Sequence, residues 1–422
     1  MELLVIKPSG PLRGQIRLPG DKSISHRAVI FASLTPGTTV IRNLLESEDV
    51  LRTVRIFEEL GVFLRCLKSG DWIVKGKRSE ELRAPRKILY CGNSGTTMRL
   101  MMGVLAALPF RSILTGDRSL NRRPMERVIE PLRRMGAKFH PFFIEGERHI
   151  EVVGGDLKGI HYNLPVPSAQ VKSAILLAGR TAGVKVTVKE KIKTRDHTER
   201  MSRFFKRSPG RRRLIIPGDP SSAAFFTVAA LINPDRFTRL TIKKVCLNPT
   251  RTGFLTVLKK MGAEIRIDHE KYLCGEPVAD LVVTPCRLRA THVGGKIVPS
   301  LIDEVPILAV AAACAEGKSS FRDMKELRIK ETDRIEALIH ELPKFGIPMT
   351  EYKEGFSIEG EGRLYGAKGD SLGDHRVAMS LAILGTVAPG RTRVNDTDCI
   401  KTSLPEFFSL MKSIGVSIKL TS

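Results

Sequence analysis

Lys22, His26 and Arg27 crowd the start of an apolar segment, in "GDKSISHR" from Gly20 to Arg27 followed directly by "AVIFASL". Ser23 and Ser25 supply hydroxyls able to cap the first N–H groups of a helix. The basic side chains add charge to a terminus that already carries the positive end of the helix dipole. Such an arrangement is kept at low cost where an anion sits on it, so the stretch reads as a seat for phosphate or carboxylate. It also fits a capped surface helix with solvated basic groups, and taken alone it does not separate the two.

The elements that must position these groups recur along the chain. "GNSGTTMRLMMGVLAAL" from Gly92, "SAQVKSAILLAG" from Ser168, "GDPSSAAFFTVAALI" from Gly218, "DEVPILAVAAACAEG" from Asp303 and "GDHRVAMSLAILGTVAPG" from Gly373 each set polar residues before an apolar helix. A second phrase runs in step: "IFEELGVFL", "PLRRMGAKF", "VLKKMGAEIRI", "LPKFGIPM" and "LMKSIGVSI", each an amphipathic helix stopped by Gly and followed by a strand. Most intervals are roughly 70 to 75 residues, which suits a supersecondary unit containing βαβ, repeated six times. The opening helices are apolar all round and are expected to be buried. If their N-termini converge, each brings roughly half a positive charge to one place. Lys22, Arg27, Arg99, Lys172 and Arg376 lie at those same loops, which favours the anion seat. The third unit is short: after "TRDHTERMSRFFKRSPGRRR" the chain reaches "LIIPGDPSSAAFF" with no room for a strand pair.

Composition narrows the class. At 422 residues the chain exceeds one ordinary domain. Its 69 Lys and Arg against 45 Asp and Glu give a net charge of +24, which calls for an anionic partner. The basic residues are spread along the chain, and one Trp and five Tyr offer little base stacking, so small anionic metabolites suit better than nucleic acid. Seven scattered cysteines without a CxxC pair argue against a disulfide framework or a structural metal. "MELLVIKPSG" shows no signal or transit pattern and no apolar run reaches about 18 residues, so a cytoplasmic protein with no membrane association is expected.

Together, "GDKSISHR", "GNSGTTMR", "GDRSLNRRPM", "SAQVKSAILLAG", "TRDHTER", "GDPSSAAFF", "NPTRTG", "ELRIKETDRI", "GDHRVAMS" and "IKTSLPEF" resemble the 5-enolpyruvylshikimate-3-phosphate synthase family, in its class II branch. The resemblance covers nearly the whole chain in order. It implies an α/β fold of two domains, an inside-out α/β barrel of six βαβαββ repeats with the third shortened. Domain 1 would comprise 1–19 plus 218–422 and domain 2 would comprise 20–217, with crossings near Leu18 to Gly20 and Pro217 to Pro220 and the active site in the cleft. It further implies enolpyruvyl transfer from phosphoenolpyruvate to the 5-hydroxyl of shikimate 3-phosphate, no cofactor or metal, a monomer, and a target for glyphosate.

The same resemblance carries roles onto residues. Glu331 is the proton donor to the vinyl carbon, Asp303 takes the 5-hydroxyl proton, and Lys22 contacts both substrates and shares proton transfer. Phosphoenolpyruvate would meet Lys22, Gly95, Arg123, Gln170, Arg334 and Arg376, whose guanidinium forks suit carboxylate and phosphate. Shikimate 3-phosphate would meet Lys22, Ser23, Arg27, Ser168, Ala169, Gln170, Arg195, Asp303 and Lys330. By position alone, Asp303 also fits a helix N-cap and Glu331 a carboxylate at a helix start. Thr402 stands where a lysine is usual, with Lys401 one position earlier and Leu404 replacing an aromatic, and Glu126 stands for a usual Gly. Alternatives are a UDP-N-acetylglucosamine enolpyruvyl transferase, whose reactive-cysteine loop has no counterpart here, an RNA 3'-terminal phosphate cyclase, and a basic nucleic-acid-binding protein.

Overall fold

The computed structural model describes residues 2–5, 8–208, 210–360 and 362–421. Its chain forms two compact units. Unit 1 comprises Met1–Pro19, Pro217–Tyr272 and Pro277–Ser422, and unit 2 comprises Gly20–Ile216 with Leu273–Glu276.

Unit 1 holds three four-stranded sheets. Their strand orders are Arg13–Arg17, Arg239–Cys246, Glu276–Val283, Ile265–Leu273; then His292–Val293, Lys318–Phe321, Gly355–Glu359, Met349–Tyr352; then Lys368–Asp370, Thr392–Asn395, Glu2–Val5, Ile418–Thr421. In each, the first pair is parallel and the second strand then meets the next antiparallel; in the second and third sheets a helix joins the parallel pair, while in the first Gly20–Ile216 of unit 2 intervenes between its two strands. The third sheet closes with the chain's own N-terminal strand, Leu3 opposite Val394 and Leu420. Three apolar helices, Pro220–Ile232, Val305–Ala313 and His375–Leu384, pack on one another in the core. Every residue from Pro220 to Leu231 and from Val305 to Ala313 is buried, as a helix with no polar face requires.

Unit 2 repeats the plan twice. Its sheets run Arg212–Ile215, Gly37–Arg42, Trp72–Gly76, Phe63–Cys66 and Leu89–Tyr90, Arg111–Thr115, Glu147–Val153, Lys138–Ile144. The third sheet has two strands, Ile160–Asn163 and Val186–Lys189, parallel with Ile160 opposite Val186. That is the shortened repeat: the helix His197–Arg207 is followed by Arg212–Ile215, which pairs with Gly37–Arg42 in the first sheet. The helices Gly95–Ala106 and Ala169–Ala182 lie close because Gly103 has no side chain; a Cβ there would fall 2.2 Å from the Ala174 carbonyl oxygen. Gly136, at φ 118°, ends the helix Glu126–Met135 in the left-handed conformation, and Gly61, Gly262, Gly346 and Gly415 of the repeated phrase share a positive φ.

The turn Leu273–Glu276 is joined covalently to two unit 1 strands yet belongs to unit 2. Glu276 Oε1 lies 2.8 Å from Nδ1 of the buried His197, the Gly275 carbonyl accepts from Arg200 at 2.9 Å, and Ile215 N–H donates to Cys274 Sγ at 3.1 Å. Nothing in the apolar patterning announced this assignment.

Candidate active site

In unit 2 the opening stretch forms the helix Lys22–Ser33, and its cap differs from the sequence reading. Asp21, not Ser23 or Ser25, accepts from Ile24 N–H at 2.7 Å, while Ser25 Oγ accepts from Leu45 N–H. A carboxylate at this terminus offsets the helix dipole. Lys22 Nζ lies 2.5 Å from Asp49. His26 is fully buried against Thr53 and its pKa falls well below the ordinary range, chiefly through burial, with Lys22 and Arg27 adding to it. Arg27 is buried and donates to Thr198 Oγ1 and Ser173 Oγ at 2.7 Å each and to the Ser23 carbonyl at 2.9 Å. Burial lowers its pKa to about 10, with Glu199 and Asp21 opposing and Arg195 adding. Of the three basic residues at this helix start, burial disfavours the charged form of His26, and Lys22 and Arg27 have protein partners.

Gly95 opens the Gly95–Ala106 helix behind the cap Ser94. A Cβ at Gly95 would sit 3.0 Å from Arg99 Nη1 and 3.3 Å from Arg123 Nη1, so the glycine faces two guanidiniums. Arg123 donates to Asn93 Oδ1 at 2.5 Å. Arg99 Nη1 donates to Gln170 Oε1 at 2.6 Å, and Gln170 Nε2 donates to Thr96 at 3.0 Å. Gly95, Arg99, Arg123 and Gln170 therefore form one cluster; Arg99 appeared in the sequence only as a basic residue at a loop. Ser168 caps the Ala169–Ala182 helix through Val171 N–H, which leaves Ala169 and Gln170 in its first turn. Arg195 lies, partly exposed, in the segment before the helix His197–Arg207. Lys172, a basic residue at one of the helix-opening loops, is buried between Glu190 at 2.9 Å and Glu199 at 2.8 Å.

In unit 1 the second group assembles around Arg334. Its guanidinium is 1% exposed; Nε lies 2.7 Å from Asp374 Oδ2, Nη2 lies 2.7 Å from Glu331 Oε2, and Nη1 lies 3.5 Å from Asp303 Oδ1. Burial works against its charge, but Asp374, Glu331 and Asp303 outweigh it and raise the pKa above the usual value. Lys330 Nζ is 3.0 Å from Asp303 Oδ1, and Arg376 Nη1 donates to the Asp303 carbonyl at 2.9 Å. Asp374 also caps the His375–Leu384 helix through Arg376 N–H at 2.8 Å. Neither Asp303 nor Glu331 is spent on a helix end. Asp333 caps the Arg334–Glu341 helix, and Asp303 sits in the turn Ile302–Glu304 ahead of Val305–Ala313. Asp374, missed in the sequence, was signalled only by its place before "HR".

At the departing positions, Thr402 Oγ1 donates to the Cys399 carbonyl, Lys401 pairs with Asp398 at 2.7 Å, and Glu126 pairs with Arg133 at 3.0 Å. Among the described residues no group of three or more His, Cys, Asp or Glu side chains could hold a metal ion, and no helix is long and apolar enough to cross a membrane.

Comparison with known proteins gives one answer. The family profile for EPSP synthase (3-phosphoshikimate 1-carboxyvinyltransferase) matches residues 6–411. A 3-phosphoshikimate 1-carboxyvinyltransferase of Geotalea uraniireducens is 46% identical over 431 residues, covering 99% of this chain and 100% of that one. One from Petrotoga mobilis is 46% identical over 428 residues, covering 97% and 98%. The EPSP synthase structure from Acinetobacter baumannii superposes with a TM-score of 0.87 at 39% identity, covering 100% of both chains. The enolpyruvyl transferase NikO from Streptomyces tendae, at 16% identity and a TM-score of 0.77 over 100% of this chain and 99% of its own, shares the fold.

Proposed function

This chain belongs to the EPSP synthase family and transfers the enolpyruvyl group of phosphoenolpyruvate to the 5-hydroxyl of shikimate 3-phosphate in aromatic amino acid biosynthesis, and we propose that Asp303, Glu331 and Lys22 carry its proton transfers. In the addition step Glu331 protonates the methylene carbon of phosphoenolpyruvate while the 5-hydroxyl gives up its proton to Asp303, and its oxygen bonds to the neighbouring carbon. The resulting tetrahedral ketal phosphate then loses inorganic phosphate, which leaves with the proton held by Asp303, and the methyl group returns a proton to Glu331 to restore the vinyl bond.

The observation that carries this assignment is that each of the two carboxylates lies against a cation, Lys330 at 3.0 Å from Asp303 and Arg334 at 2.7 Å from Glu331, with Arg334 also 3.5 Å from Asp303 and neither carboxylate used as a cap. The negative charge that Glu331 gains on giving up its proton meets the fixed Arg334 guanidinium, which is how preorganised sites lower barriers. Arg334 and Arg376, with Lys22, Gly95, Arg123 and Gln170, are assigned to phosphoenolpyruvate. Lys22, Ser23, Arg27, Ser168, Ala169, Gln170, Arg195, Asp303 and Lys330 are assigned to shikimate 3-phosphate. For Arg27 the buried bonds to Thr198 and Ser173 support a role in shaping that region. The enzyme acts as a cytoplasmic monomer on small anionic substrates, without metal or nucleic acid.

Phosphate release by the purified protein tests the reading. Release is expected only when both phosphoenolpyruvate and shikimate 3-phosphate are present, and the Asp303→Asn and Glu331→Gln variants should lose it. Release driven by UDP-N-acetylglucosamine, or full activity in either variant, would overturn it.

A further inference from the structure

The segment that carries Arg195 leaves the end of the strand Val186–Lys189, and this strand is unlike its counterparts. In the five four-stranded sheets the corresponding strand is flanked on both sides, whereas here the described sheet contains only Ile160–Asn163 beside it. An edge strand gives the loop that follows it less support. The missing support is supplied by a buried ion cluster. Lys172, one turn into the Ala169–Ala182 helix with its side chain 3% exposed, reaches Glu190 Oε2 at 2.9 Å, Glu199 Oε1 at 2.8 Å and the Thr194 carbonyl at 3.5 Å. Glu190 Oε1 in turn accepts from both Thr194 N–H, at 3.2 Å, and Thr194 Oγ1. Thr194 is therefore gripped through its amide, hydroxyl and carbonyl, and the next residue is Arg195.

We propose that Lys172 is a positioning residue for shikimate 3-phosphate: through Glu190, Glu199 and Thr194 it fixes the backbone from which Arg195 reaches the substrate phosphate. This rests on the proposed assignment of Arg195. It also explains a buried lysine to which the proposed chemistry gives no part, its ammonium held between two carboxylates.

The test compares Lys172→Met, Arg195→Gln and the double variant by direct titration of shikimate 3-phosphate and of shikimate, with phosphoenolpyruvate kinetics at saturating shikimate 3-phosphate. Lys172→Met should weaken shikimate 3-phosphate about tenfold or more, the scale of a charge-assisted contact put out of place. Shikimate affinity and the KM for phosphoenolpyruvate should stay within about twofold, because only the phosphate contact is disturbed. In the Arg195→Gln background the Lys172 change should add nothing, the signature of two residues acting through one contact. Should Lys172→Met fail to fold, Glu190→Gln loosens the same grip while leaving Lys172 its Glu199 partner, and it should show the same split at smaller size. Equal losses for shikimate and shikimate 3-phosphate, additive effects, or no loss from either variant would overturn the proposal. If Arg195→Gln itself leaves shikimate 3-phosphate binding unchanged, the assignment of Arg195 fails and the role of Lys172 with it.

Discussion

Arg334 Nη2 lies 2.7 Å from Glu331 Oε2, and the arginine reaches it from a buried position in which Asp374 holds the other edge of its guanidinium at 2.7 Å. Glu331 sits outside the helix that Arg334 begins, and this contact links it to a buried residue of the unit's core. Placement of Glu331, the proposed proton donor, therefore depends on Arg334 and Asp374, whose own burial makes them hard to displace.

Arg376 is bound on its protein side to the Asp303 carbonyl at 2.9 Å. Arg376→Ala should raise the KM for phosphoenolpyruvate about ten- to a hundredfold, the equivalent of a charge-assisted contact of roughly 1.5 to 3 kcal/mol. The constant for shikimate 3-phosphate should move less. Kinetics with each substrate varied in turn check this, and equal rises in both constants would contradict the assignment.

Gly95→Ala puts a methyl group 3.0 Å from Arg99 Nη1 and 3.3 Å from Arg123 Nη1, contacts that require both guanidiniums to give way by tenths of an ångström. Glyphosate has one more bond than phosphoenolpyruvate between its phosphorus and its carboxyl carbon, so it should feel the narrowing more. The ratio of its inhibition constant to the KM for phosphoenolpyruvate should rise. An unchanged ratio would place the pocket elsewhere.

His26 gives the protein a pH-dependent stability. Its folded pKa lies well below 6.5 because burial, with Lys22 and Arg27, disfavours the cation, so below about pH 6.5 the unfolded chain binds a proton that the folded chain refuses. Stability present above that pH should fall as pH falls, by up to about 1.4 kcal/mol per pH unit from this group. Urea unfolding from pH 7.5 to 5.5 should show that slope in the parent protein and a shallower one in His26→Gln. Parallel slopes would remove His26 as the cause.

Repetition made the architecture legible: polar loop, apolar helix, amphipathic helix and stopping glycine each follow from a local pattern. The two-stranded third sheet was equally readable, because a missing stretch of chain leaves no strand to form. Partner choice was not. "GDKSIS" offers a carboxylate and two serines at one helix start, and only the three-dimensional path shows that Asp21 caps while Ser25 turns to Leu45. Lys172 could be read only as a basic residue at a helix-opening loop, because the carboxylates that bury it, Glu190 and Glu199, lie 18 and 27 residues later. The turn Leu273–Glu276 belongs to unit 2 and makes polar and sulfur contacts there, which hydrophobic periodicity does not register.

The central claim is that Glu331 moves the proton on and off the methylene carbon. Glu331→Gln keeps size and a hydrogen-bonding oxygen for Arg334 but has no acidic proton, so kcat should drop by about 10² to 10⁴. Titration of shikimate 3-phosphate into the same variant should give a dissociation constant within about threefold of the parent. Normal turnover in Glu331→Gln would contradict the account and leave the proton transfers to Lys22 and Asp303.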